Sequence, residues 1–315
     1  MRLRALRTLS VLSLLALLAG PATTAQATTH TPKSKAQTSV RGKGKKAKLV
    51  AKKRSVRRGK GRRVAPPAGG VYARNAILVD PSSGEVLFEK NSARSVPVAS
   101  LTKLMTALVF LEQKPDLERE VAVTHDEIDG AGHSQLRDGE MLSLEHLLHM
   151  SLMCSDNVAT RVLAREAGMS HEDFLARMNR KAVELGLSGS RFYEVTGLDE
   201  RNVSTASDIA RLLHAAAHDP LIQTITTTRA YEFRTDKRAH AIHNTNRLLY
   251  GRYEVLGGKT GFIMEAGYCF ATWVHSQGRD LIAVVLGAPT NATRFADAVR
   301  LIQKSTAPTA APSNL

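Results

Sequence analysis

A chain of 315 residues with 43% apolar content is long enough for one large domain or two ordinary ones, and it can bury a core, which excludes a wholly unfolded class. Its formal charge of +15 would suggest nucleic acid or an anionic surface as partner, yet eighteen of the 44 lysines and arginines precede Pro66 with no acid among them, and the remaining 26 face all 29 acids. The folded part is therefore nearly neutral, and the basicity belongs to a tail.

Arg2, Arg4 and Arg7 precede the apolar run Leu9 to Leu18, and Ala25-Gln26-Ala27 supplies a small-x-small site. This is the pattern of a secretory signal peptide over 1–27, cleaved after Ala27. The run is too short for a permanent bilayer span, and no later stretch reaches about 18 apolar residues. The expectation is an exported, soluble protein, periplasmic or associated with the cell wall. Residues 28–69, with "GKGKKAKLVAKKRSVRRGKGRR" at the centre and "APPAGG" at the end, combine like charges with Gly and Pro and read as a disordered basic arm and linker. The fifteen bases of 28–65 would tether the protein to anionic envelope polymers or a membrane surface. Export argues against nucleic acid as a partner.

A catalytic-sized domain is expected over 70–305, with a disordered Pro/Ala/Ser tail over 306–315. "ARNAILVD" and "EVLFEKN" flank Pro81-Ser82-Ser83-Gly84 and predict a hairpin. From Ser100 to about Ala217 the periodicity is mostly helical: "LEHLLHMSLM", "NVATRVLAREAG", "HEDFLARMNRKAVELG" and "ASDIARLLHAAAH". Strands return in "AYEFRT", "YEVLGGKTGFI", "YCFATWVHSQ" and "DLIAVVLGA", and a last helix spans about 291–304. Strands at both ends with helices between them predict an α+β fold, an antiparallel sheet built from both chain ends and packed against helices, with a helical subdomain inserted.

In "VASLTKLMTAL", Ser100 and Lys103 interrupt an apolar stretch, one turn apart on one face of a helix. A serine hydroxyl is a weak nucleophile unless a base removes its proton, and a lysine serves as that base only when burial lowers its pKa. Alone, an S-x-x-K occurs about once by chance in a chain of this length. "MCSDNVA" adds Ser155, Asp156 and Asn157 at a junction between helical stretches, and "GGKTGFI" adds Lys259, Thr260 and Gly261 in a strand. All three motifs in this order would arise by accident in roughly one chain in a thousand.

The set S-x-x-K, S-D-N and K-T-G resembles the serine penicillin-recognising enzymes. "ASLTKLMTALV", "GLDERNVSTASDIARL", "HNTNRLL" and "GGKTGFIMEAGYC" are similar to the low-molecular-weight penicillin-binding proteins, the D-alanyl-D-alanine carboxypeptidases and endopeptidases, over about 73–295. The resemblance implies a DD-peptidase/β-lactamase-like fold. It makes Ser100 the acylated nucleophile, Lys103 its base, Ser155 the relay of a proton to the leaving amine, and Asn157 a partner of the substrate amide or of Lys103. Lys259 and Thr260 would bind the carboxylate beside the scissile bond. Gly261 would let substrate lie against the strand, and the backbone N–H groups of Ser100 and Phe262 would form the oxyanion hole. Peptidoglycan stem peptides are the implied substrates and β-lactams the implied covalent inhibitors, with no metal or cofactor required.

"TGLDERNVSTASD" most resembles the endopeptidase branch, and the chain ends about ten residues beyond Gln303, without the further β-rich domain and amphipathic helix of typical membrane-bound carboxypeptidases. A cross-link endopeptidase is therefore expected over a carboxypeptidase. A class A β-lactamase needs a glutamate in E-x-x-L-N between S-D-N and K-T-G; Glu194 is the nearest residue and lacks that pattern. Retention of Ser100, Lys103, Ser155, Asn157 and Lys259 argues against an inactive scaffold. Asp156 is expected to shape its loop, and the histidine pairs 146/149, 214/218 and 240/243 to be surface or core groups. Sequence leaves open whether Cys154 and Cys269 form a disulfide.

Overall fold

The computed structural model describes residues 70–305. The expected signal peptide, basic arm and C-terminal tail lie outside the described residues. The first elements are β1 (Asn75–Val79) and β2 (Val86–Lys90), joined where the Asp80 carboxylate accepts from the backbone N–H of Ser82 at 2.9 Å and caps the turn. A short strand β3 (Val96–Pro97) and a 3-10 turn, Ala99–Leu101, lead into α1 (Thr102–Glu112). Because α1 is apolar almost all round, it is enclosed as the central helix of the core, with Leu104, Met105, Val109 and Phe110 fully buried.

Next come β4 (Glu120–Ala122), α2 (His125–Ile128), β5 (Met141–Ser143), α3 (Leu144–His149), α4 (Asn157–Arg165) and α5 (His171–Glu184). β6 (Val203–Ser204), α6 (Ala206–Ala217) and α7 (Pro220–Thr227) precede the hairpin β7 (Ala230–Arg234) and β8 (Ala239–His243). The long meander β9 (Glu254–Ile263), β10 (Gly267–Ser276) and β11 (Arg279–Ala288) is closed by α8 (Asn291–Lys304).

The main sheet is antiparallel in the order β2-β1-β11-β10-β9, so both ends of the described chain build it. Both its faces are covered, which is why β11 reads as a continuous apolar run. Its Leu281, Ala283 and Val285 pack toward α8, while Ile282, Val284 and Leu286 join the larger core with α1 and α6. The α+β expectation holds. What periodicity did not foresee are the pairings β3–β6 and β4–β5, each too short for alternation to register, and β8, whose "AHAIH" has little strand propensity. Among the described residues no helix is long and apolar enough to cross a membrane.

Candidate active site

The turn carrying Ser100 is fixed from two sides. Ala99 sits at φ +51°, a left-handed conformation that a residue with a side chain adopts at a cost of roughly 1–2 kcal/mol. Gly197, at φ +86°, lies so close that a Cβ there would overlap the Ala99 carbonyl. A Cβ on Gly261 would come 2.9 Å from the Val98 carbonyl and 3.0 Å from the Ser100 backbone nitrogen. Two glycines therefore let a loop and strand β9 close on the serine turn.

One helical turn on, Lys103 is wholly buried. Its Nζ lies 2.9 Å from Ser100 Oγ, 2.7 Å from Asn157 Oδ1 and 2.8 Å from the Thr196 carbonyl. Burial draws its pKa down to about 8, against the opposing pull of the Glu194 and Asp156 carboxylates. Asn157 is oriented by donating from Nδ2 to the Ala131 carbonyl at 2.8 Å.

Ser155 occupies a left-handed position, φ +65°, between a π-helical turn at Met150–Cys154 and the start of α4. Asp156 caps α4 by accepting from Ala159 N–H at 3.0 Å and holds the Ser134 hydroxyl at 2.7 Å, so its carboxylate shapes the loop. Across the cleft, Lys259 donates to Ser155 Oγ at 2.7 Å and to the Thr260 carbonyl at 3.0 Å. Burial, and then the charge of Lys103, push the Lys259 pKa well below its ordinary value. Lys259, Thr260, Gly261 and Phe262 lie on β9, the edge strand, so one side of their backbone is left unpaired by the sheet. Phe262 is half exposed and stacks on Tyr268 with ring centroids 4.3 Å apart.

The geometry brings the sequence-predicted residues into two hydrogen-bonded sets, Ser100–Lys103–Asn157 and Ser155–Lys259–Thr260. It also adds residues that spacing did not reveal. Glu194 spends both carboxylate oxygens on its own loop, accepting from Thr196 N–H at 2.7 Å, from Gly197 N–H and from Asn202 Nδ2 at 3.0 Å, and so aims the Thr196 carbonyl at Lys103. Thr245 places its hydroxyl 2.7 Å from that of Thr260. A backbone carbonyl 93 residues from its lysine leaves no trace in sequence spacing. The "HNTN" and "TGL" segments that carry Thr245 and Thr196 were the only cue.

Cys154 and Cys269 are both free thiols, and burial raises them to about 12 and about 11. His146 and His149 pack on Tyr231, His214 and His218 on Trp273, and His240 is buried against Glu140 at 2.6 Å. Among the described residues no cluster of His, Cys, Asp or Glu could hold a metal ion.

A family model described as D-alanyl-D-alanine carboxypeptidase matches residues 61–290. The chain belongs to this family. Members similar to it include the D-alanyl-D-alanine endopeptidases of Pseudomonas aeruginosa, 36% identical over 72% of this chain and 75% of that protein, and of Escherichia coli, 34% identical over 72% and 75%. The carboxypeptidase DacF of Bacillus subtilis is 34% identical over 73% of this chain and 61% of its own length. Among solved structures, the Streptomyces K15 DD-transpeptidase superposes with a TM-score of 0.72 at 26% identity, covering 78% of this chain and all of its own. Penicillin-binding protein D2 of Listeria monocytogenes, in a form bound to cefotaxime, gives 0.67 at 29%, covering 75% and 98%. The D-alanyl-D-alanine carboxypeptidase family thus accounts for the fold and for a serine-type peptidase activity.

Proposed function

We propose that this peptidase opens D-alanyl cross-links in peptidoglycan through an acyl-enzyme on Ser100. The observation that carries the reading is the buried Lys103 amine, 2.9 Å from Ser100 Oγ and held by two acceptors. A neutral amine has two N–H donors and one lone pair. The donors go to Asn157 Oδ1 and the Thr196 carbonyl, which leaves the lone pair for the Ser100 proton. Ser100 then adds to the scissile carbonyl as its proton passes to Lys103, and the backbone N–H groups of Ser100 and Phe262 receive the oxyanion. Collapse breaks the C–N bond, the leaving amine takes a proton through Ser155, and water hydrolyses the ester. Lys259 and Thr260 bind the carboxylate beside the scissile bond. Substrate lies along the open edge of β9, where Gly261 keeps the approach clear. The same serine would be acylated by β-lactams.

The carboxylate beside the bond is present both in a terminal D-alanine and in the D-centre of a directly cross-linked diaminopimelate, so charge recognition alone does not separate the two substrates. Three relatives at 34–36% identity bear the endopeptidase name, which favours the cross-link; carboxypeptidase relatives at 34% and 30% keep terminal trimming as the second reading. Parallel digestion of cross-linked muropeptide dimers and uncross-linked pentapeptides should convert dimer to monomer faster than it releases D-alanine. The opposite order would replace the endopeptidase by the carboxypeptidase.

The reading includes export by residues 1–27 and tethering by 28–65. Fifteen bases without an acid attract polyanions, an attraction screened within about 8 Å at physiological salt and exerted without any group of the proposed site. Deleting 28–65 should weaken sedimentation with isolated cell walls at low salt and leave cleavage of soluble peptides unchanged. Equal wall binding of both forms across a salt series would remove the tether.

A further inference from the structure

Next to the Thr245 hydroxyl lies an open pocket of about 430 Å³, lined by His243, Thr245, Arg247, Tyr250, Asn291 and Arg294 and by no carboxylate. It adjoins the reacting region, since the Thr245 hydroxyl on its wall lies 2.7 Å from that of Thr260. Arg294, only 7% exposed, donates from Nη1 to the carbonyls of Gly261 and Cys269 at 3.0 and 3.3 Å, while its Nε is buried without a hydrogen-bond partner. The guanidinium groups of Arg247 and Arg294 lie against one Phe295 ring, 5.6 and 4.9 Å from its centroid. Burial, with repulsion from Arg247 among the lesser causes, holds the Arg294 pKa at about 10. Two cations gathered at a pocket without an anion are a self-repelling arrangement that a bound anion would relieve.

We propose that this pocket is the subsite for a second carboxylate on the leaving stem of a cross-linked dimer, with Arg247 as the residue that holds it. The proposal rests on the endopeptidase reading. A pentapeptide releases a single D-alanine, whose one carboxylate is satisfied at Lys259 and Thr260. A cross-link releases a whole stem, which carries further carboxylates on its glutamyl residue and at its own C-terminus. Only the second substrate can reach past Thr245 to Arg247. Arg247 is thereby a specificity-determining group, exposed enough that its replacement should leave the fold intact.

The test compares wild type with Arg247→Ala on three substrates: a cross-linked dimer, the same dimer with the leaving stem's distal carboxylates amidated, and a pentapeptide. For the dimer, KM should rise about fivefold with kcat nearly unchanged, the size expected of a solvent-facing, charge-assisted contact. Amidation should cost wild type the same factor and the variant nothing further. Pentapeptide cleavage and the rate of penicillin acylation should move by less than twofold. An equal loss on all substrates would reduce Arg247 to a structural role, and an unchanged KM for the dimer would remove the subsite. If wild type itself releases D-alanine but leaves dimers uncut, the endopeptidase reading falls and the subsite with it. If Arg247→Ala cuts dimers as wild type does, the subsite alone falls.

Discussion

Ser100→Ala is expected to give a folded protein that gains no mass on incubation with penicillin and cleaves no D-alanyl bond above background. Removing the nucleophile from a set of groups that act as a unit costs on the order of a millionfold, because the remaining members have nothing to activate. The fold should tolerate the change. Ser100 contributes one of three partners to Lys103, and the Asn157 and Thr196 oxygens remain to hold the amine. Loss of one hydroxyl from a partly buried serine is worth about 1 kcal/mol, a shift of roughly 2–4 °C in melting temperature for a domain of this size. Mass spectrometry of the intact protein reads the outcome: wild type should carry one stable penicillin adduct, mapped to the peptide containing Ser100. An adduct retained by the variant, on Ser155 or elsewhere, would overturn the assignment. Rapid turnover of the drug by wild type, with no adduct left, would mark a β-lactamase. The class A route to that outcome needs a deacylating glutamate, and the candidate for it, Glu194, has both oxygens committed to the 194–202 loop.

The difference between what sequence reveals of this site and what it conceals follows from how each residue reaches the cleft. Ser100 and Lys103 are readable because a helix converts a spacing of three into contact. Lys259, Thr260 and Gly261 are readable because the apolar strand around them is long enough to identify. Ser155 is placed by its own left-handed backbone and Asp156 by its capping of α4, both of which sit where the helical pattern visibly breaks. The long strands of the sheet were legible for a similar reason, since each is ten residues long and has a buried, largely apolar centre, continuous in β11 from Leu281 to Leu286. In contrast, Thr196 acts through its carbonyl, which any residue supplies, and its direction depends on Glu194 and Gly197 folding a loop that has no periodicity. Thr245 reaches Thr260 from the end of a hairpin whose second strand is made of Ala, His and Ile. The pairing of β3 with β6 joins segments more than a hundred residues apart through two residues each, a contact that no local pattern records.

Lys103→Ala should lower penicillin acylation and peptide cleavage on the order of 10³- to 10⁴-fold, the contribution of a positioned general base, and pH should show why. On the proposed mechanism the neutral amine is the active form. With Lys103 held near 8, wild-type acylation should rise about tenfold per pH unit below that value and level off above it, since the fraction of neutral amine grows in that proportion. The residual rate of Lys103→Ala should lack this limb. Lys259 is pushed down by burial and then by the charge on Lys103, so the two buried amines resist being charged together, and on the proposed mechanism a substrate carboxylate bound at Lys259 would draw the charge to that amine and leave Lys103 neutral. The same burial leaves a signature in stability. In the unfolded chain Lys103 titrates near 10.5, so below pH 8 both states carry the charge and folding bears the cost of burying it, about 3 kcal/mol for a shift of this size. Between about 8 and 10.5 the folded state has released its proton and the unfolded state has not, so stability rises with pH across that window. Measured by denaturant titration, the stability of wild type relative to Lys103→Met should therefore move in favour of wild type from pH 8 to 10.5 and stay level from pH 6 to 7.5. A flat difference across both windows, together with an acylation rate that does not change between pH 6 and 8, would mean that Lys103 is already neutral or never neutral in the working enzyme, and the base would have to be sought elsewhere.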